Sequence, residues 1–141
     1  MSNTIICICG GGNLGHVTAG HLASRGDLDV RLLTRHPDRF QDNTLLIETP
    51  DGKCEKSHMN VVTDSPAVAV ADADIVLLCL PGFAIAQELN FIAPFLSPKA
   101  TVGSIFCSSG FFPMAEKILP EGTPLFGFQR VPYIARIQEY G

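Results

Sequence analysis

The sequence predicts an α/β fold, a doubly wound, mostly parallel sheet between helices in three αβα layers, and three observations predict it. Short, continuously apolar, β-branched runs such as Thr4–Cys9 and Ile75–Leu80 have the pattern of strands buried on both faces. Segments of helical period alternate with such runs to the end of the chain, the order that gives parallel strands joined by right-handed crossovers. Three glycines stand where the first run must turn into a helix. A length of 141 residues predicts one domain, 1–141, and a hydrophobic content of 46% can fill its single core without disulfide or metal staples.

After the first strand, Leu14, Val17, Leu22 and Ala23 recur at helical spacing from Asn13 to Arg25, and Gly26 supplies the stop. Asp29–Leu33 completes a βαβ unit, and Pro37 breaks the chain away from the sheet. The stretch 38–60 is polar and irregular. Within it Leu45–Thr49 and Lys53–Lys56 flank Pro50-Asp51-Gly52, a hairpin signal in what reads as a surface excursion. Val61–Thr63 is a short strand candidate, and Ser65-Pro66 caps a brief helix over Ala67–Ala71. The strand at Ile75–Leu80 turns at Pro81-Gly82 into a helix from Phe83 to Ala93, where Pro94 ends it. Thr101–Phe106 is the next strand, Pro113–Leu119 a short helix, and Leu125–Gln129 the last strand.

With 17% charged residues and a net charge of −4, the chain carries no general attraction to nucleic acid or to an anionic membrane, so any anion site must be local. The N-terminus shows no targeting pattern and no apolar run is long enough to span a bilayer, which predicts a soluble, cytoplasmic protein. Cys7, Cys9, Cys54, Cys79 and Cys107 form no CxxC pair. Buried thiols are the expected reading, although Cys9, Cys79 and Cys107 would end strands on one edge of the sheet.

Function concentrates in Gly10-Gly11-Gly12-Asn13-Leu14-Gly15, a GxGxxG pattern placed after a buried strand and opening a helix. Gly10 permits the tight turn, Gly12 lacks the Cβ that would keep a diphosphate from the backbone, and Gly15 lets the helix approach the strand. Free N–H groups at the start of that helix, with its dipole, then favour phosphates. In a Rossmann-type sheet the ligand lies at the carboxyl ends of the strands, near the switch between the two halves. That selects two further loops, Leu80-Pro81-Gly82-Phe83 and Cys107-Ser108-Ser109-Gly110. The cofactor-binding set expected from the sequence is therefore Gly10, Gly12, Asn13, Leu14, Gly15, Thr34, Arg35, Leu80, Pro81, Gly82, Phe83, Cys107 and Ser108.

The tip of the second strand selects the cofactor. An NAD site usually places a carboxylate there for the ribose hydroxyls, whereas this chain has Thr34-Arg35. A guanidinium can pair with a 2′-phosphate and stack on adenine, so NADP is expected ahead of NAD, with Arg39 and His36 as possible auxiliaries. His16 follows the glycine turn and reads as a hydrogen-bonded structural histidine or a neighbour of the diphosphate. Neither His21 nor His58 shows a usable carboxylate partner, so no acid–base dyad and no catalytic residue is assigned.

The segments IICICGGGNLGHVTAGHLASRG and VRLLTR, with the tail FQRVPYIARIQEYG, resemble the N-terminal domain of opine dehydrogenases of the octopine and nopaline type. Ketopantoate reductase and glycerol-3-phosphate dehydrogenase share much of that pattern. The resemblance implies an NAD(P)-dependent oxidoreductase that condenses an amino acid with a 2-oxo acid and reduces the imine carbon with hydride. It also implies a following helical domain, carrying the catalytic histidine, that this sequence does not reach at Gly141, so the isolated chain is expected to be inactive. Two alternatives stand beside it: a ketopantoate-reductase-like 2-oxo acid reductase, and a stand-alone nucleotide-sensing module. Arg130 and Arg136 are candidates for a substrate carboxylate, with surface ion pairing as the plainer role. Apolar surface around Phe111, Phe112 and Tyr133 is expected to support self-association, such as a homodimer.

Overall fold

The computed structural model describes residues 3–140 and contains a six-stranded parallel sheet. In chain order the elements are β1 (Thr4–Cys9), α1 (Asn13–Ser24), β2 (Leu28–Leu33), β3 (Thr44–Glu48), β4 (Cys54–His58), β5 (Val61–Thr63), α2 (Pro66–Ala69), β6 (Ile75–Leu78), α3 (Gly82–Ile92), β7 (Thr101–Ser104), α4 (Phe111–Ile118) and β8 (Leu125–Gly127). The sheet order is β5-β2-β1-β6-β7-β8, while β3 and β4 form a separate antiparallel pair. The chain reverses direction across the sheet between β1 and β6, which makes their carboxyl ends the switch point. The doubly wound α/β fold expected from the sequence is therefore the observed one.

The continuous apolar runs divide between two layers by the strand period of two. Cys7 and Cys9 of β1 and Val76 and Leu78 of β6 face the layer of α2, α3 and α4, while Ile6, Ile8 and Leu77 face α1 and the hairpin. Neither layer alone would bury both faces, so β6 is apolar at every position and β1 from Ile5 to Cys9.

Two elements depart from expectation. The excursion is docked structure: Phe40, Leu45 and Met59 are buried in the α1 layer, and the hairpin occupies the side of the sheet where a crossover helix would connect β2 to β5. Gly20 of α1 makes room for it, since a Cβ there would strike the Ile47 side chain. The short helix α4 begins at Phe111, two residues ahead of expectation, because Pro113 sits in its first turn, where a missing N–H costs nothing. Phe111 consequently points into the core and is 1% exposed. This corrects the proposed self-association surface, from which Phe111 is removed. Among the described residues no helix is long and apolar enough to cross a membrane.

Candidate functional site

The turn from β1 to α1 follows from what its glycines lack. Gly10 adopts φ +118°, and a Cβ there would lie 2.5 Å from the Cys79 carbonyl oxygen of the loop after β6. At Gly15 a Cβ would fall on the Gly10 carbonyl, so its absence sets how closely α1 approaches β1. Gly12, in contrast, has nothing within 4 Å of its Cβ position: it faces open space. Gly12 is also the N-cap of α1, with no side-chain cap and no acidic residue in the first turn. The N–H groups of the first turn are therefore available to an anion, and the helix dipole favours one there. Gly11, absent from the expected set, packs on Thr34, whose hydroxyl and Cβ occupy the place of a Gly11 Cβ.

These N–H groups border a cleft of about 590 Å³ at the carboxyl ends of β1, β6 and β7. Of the expected residues it gathers Gly12, Asn13, Leu14, Leu80, Pro81, Gly82 and Ser108. Gly10 and Gly15 lie beneath the turn as its packing. Phe83 stands off the cleft wall, 90% exposed at the start of α3, and Cys107 is turned away, its side chain against Gly127 of β8. The cleft adds four residues outside the expected set: Cys79, Ile105, Phe106 and Val131. Ile105 and Phe106 follow β7, which ends at Ser104, two residues short of the expected strand Thr101–Phe106. Val131 comes from the segment after β8, and no local pattern places it there. A larger concavity, about 720 Å³, lies by the amino end of β8, where Glu116 and Glu121 line it. It is remote from the glycine turn, and its carboxylates oppose an anionic ligand.

At the tip of β2, Arg35 and His36 are exposed, and the Thr34 hydroxyl accepts the His36 backbone N–H at 3.4 Å. Glu88 of α3 is half-buried, and burial pushes its carboxyl up while the Arg35 charge pulls it back. Arg39 is not free: its guanidinium lies 4.8 Å above the Tyr140 ring.

The histidines on α1 are both engaged. The imidazole Nδ1–H of His16 donates to the Gly12 carbonyl at 3.0 Å, and burial lowers its pKa, partly offset by backbone hydrogen bonds. His21 does have a carboxylate partner, Glu55 of β4 at 3.0 Å, reached only because the hairpin docks. The thiols of Cys7, Cys9 and Cys79 are buried, and burial pushes Cys79 up to about 12, so it is a protonated core group.

Residues 6–125 match the family model described as ketopantoate reductase PanE/ApbA. The chain is 31% identical to opine dehydrogenase of Haliotis discus hannai and 30% identical to octopine dehydrogenase of Pecten maximus, in each case over 96% of this chain and 38% of the relative. Among solved structures, octopine dehydrogenase with NADH and L-arginine superposes with a TM-score of 0.89 at 29% identity, covering 99% of this chain and 38% of that one. A 2-dehydropantoate 2-reductase from Porphyromonas gingivalis W83 shares the fold, with a TM-score of 0.75 at 21% identity over 89% of this chain and 46% of that one. The chain thus spans 38% of the length of the opine and octopine dehydrogenases and 46% of that of the reductase.

Proposed function

The chain belongs to the ketopantoate reductase PanE/ApbA family, and we propose that it holds the nicotinamide dinucleotide for an opine-type dehydrogenase. The observation that carries this reading is the uncapped start of α1, with the open face of Gly12 turned to the cleft. The residues fit such a group: the glycine turn would take the diphosphate, Leu80-Pro81-Gly82 would lie against the ribose, and Ser108 with Phe106 would border the nicotinamide end. Bound there, the nicotinamide supplies or accepts a hydride. The octopine dehydrogenase structures hold NADH with agmatine, L-arginine or pyruvate. By extension, the substrates of the whole enzyme are an amino acid or related amine and a 2-oxo acid, bound by groups on the remaining length of such a protein.

Within that reading, Arg35 favours NADPH over NADH, because no carboxylate occupies the β2 tip and the exposed guanidinium suits a 2′-phosphate. Calorimetric titration of the chain with both nucleotides, repeated on Arg35→Ala, tests it. NADPH should bind the wild type more tightly, and the variant should lose roughly 10- to 100-fold in NADPH affinity with NADH unchanged. Preference for NADH in the wild type overturns the role of Arg35. Binding of neither nucleotide overturns the reading of the cleft.

A further inference from the structure

The segment 129–140 has neither helix nor strand of its own, so its course is set by what it touches, and it touches α1 along its length. The Tyr133 ring lies 5.2 Å from the His21 ring. The Ile137 N–H donates to Oδ1 of Asn13 at 2.8 Å, at the first residue of α1. Tyr140 meets His16 edge-on at 5.2 Å, with Arg39 over its own face. Phe40 packs on the imidazole at 4.9 Å and meets Tyr140 edge-on at 6.3 Å, so the three rings form one cluster.

The strap meets the glycine turn at Asn13 and, one turn into α1, at His16. The backbone N–H and the Nδ1–H of His16 converge on one acceptor, the Gly12 carbonyl, at 2.9 and 3.0 Å. Gly12 has no Cβ and nothing near it, so its backbone alone has little to resist rotation. A doubly held carbonyl removes that freedom, and it keeps the adjoining N–H groups turned to the cleft. Among the described residues, Nε2 is buried without a hydrogen-bond partner. The neutral ring therefore carries its one proton on Nδ1, where the carbonyl needs it.

We infer that His16 is a positioning residue of the dinucleotide site, fixing the Gly12 carbonyl so that the turn stays open to a diphosphate, and that Tyr140 of the strap holds His16 in that pose. The inference rests on the reading of the cleft as a dinucleotide site. Because the diphosphate is common to both nucleotides, His16 governs NADH and NADPH affinity equally, whereas Arg35 separates them.

The test compares two substitutions of similar size by titration with NADH and NADPH. In His16→Asn the side-chain amide nitrogen branches from Cγ as Nδ1 does and still donates to the Gly12 carbonyl; His16→Leu fills the space between Phe40 and Tyr140 without a donor. The expected result is that Leu weakens both nucleotides by about tenfold, Asn restores them to within about twofold of wild type, and Tyr140→Ala costs both about threefold. Thermal unfolding of each variant identifies any loss that comes from unfolding. Equal affinities for the Leu and Asn variants overturn the positioning role, as does a Leu variant that binds like wild type. An unchanged Tyr140→Ala overturns the part of the strap. Failure of the wild type to bind either nucleotide falls on the cleft reading first, and takes this inference with it.

Discussion

In the first half of the sheet, β1–α1–β2, the cleft wall is backbone, and its shape is set by side chains that are missing. In the second half, β6–α3–β7, it is side chains, of which Phe106 is 53% exposed, and Phe83, off the wall, is 90% exposed. The glycine-turn end is thus shaped by close-packed backbone, whereas the apolar end is an open lip. Backbone N–H groups need an exact approach distance, which the closeness of Gly10 and Gly15 to their neighbours enforces. An apolar wall tolerates variation and gains its value once something covers it.

The sharpest way to break this contrast is Gly15→Ala. The new Cβ meets the Gly10 carbonyl, which is backbone and cannot turn aside, so α1 must lift from β1. A stability loss of about 3 kcal/mol and a loss of nucleotide affinity of roughly 100-fold or more are expected, read from urea unfolding and titration. Near-normal binding would mean that the turn tolerates what its geometry excludes.

Gly103→Ala makes the corresponding change in the second half. There the obstacle is the Phe126 ring lying across β7, a half-buried side chain that can rotate outward. The cost should be smaller, about 1–2 kcal/mol, with nucleotide affinity within about twofold of wild type. A large affinity loss would show that the two halves are coupled through the sheet.

The smallest effect concerns pH. Burial, the largest cause, lowers the pKa of His16 from its ordinary 6.5, so the unfolded chain binds this proton more readily than the folded one. Its contribution to stability is complete above 6.5 and is lost as pH falls from there through the lowered folded value. Urea midpoints measured across that range should fall more steeply in wild type than in His16→Asn. Parallel curves would mean that the ring is not shielded between Phe40 and Tyr140.

Much of the candidate cleft was legible because it is local. The turn residues Gly10, Gly12 and Gly15 lie within six positions, and their roles follow from one strand, one turn and one helix. Leu80-Pro81-Gly82 was readable as the loop after the clearest core strand. Cys79, Ile105 and Phe106 end apolar runs that were readable, but other missed residues have no such neighbourhood. Gly11 matters through Thr34, 23 positions on, and Glu55 reaches His21 only through a docked hairpin. Val131 enters the cleft on a segment with no periodicity at all. Cys107 was placed in the right loop, but the packing of β8 turns its side chain away from the cleft.

By itself the sequence determined the alternation of strands and helices, the glycine turn and the absence of a carboxylate at the β2 tip, because each depends on residue type and spacing along a few turns of chain. Only the tertiary structure decided that the polar excursion packs as a hairpin on α1, that Arg39 is drawn onto Tyr140, and that the strap closes on His16. Those contacts join residues 24 to 124 positions apart. Their formation depends on the burial that the whole fold supplies, for which no short stretch of sequence carries a signature.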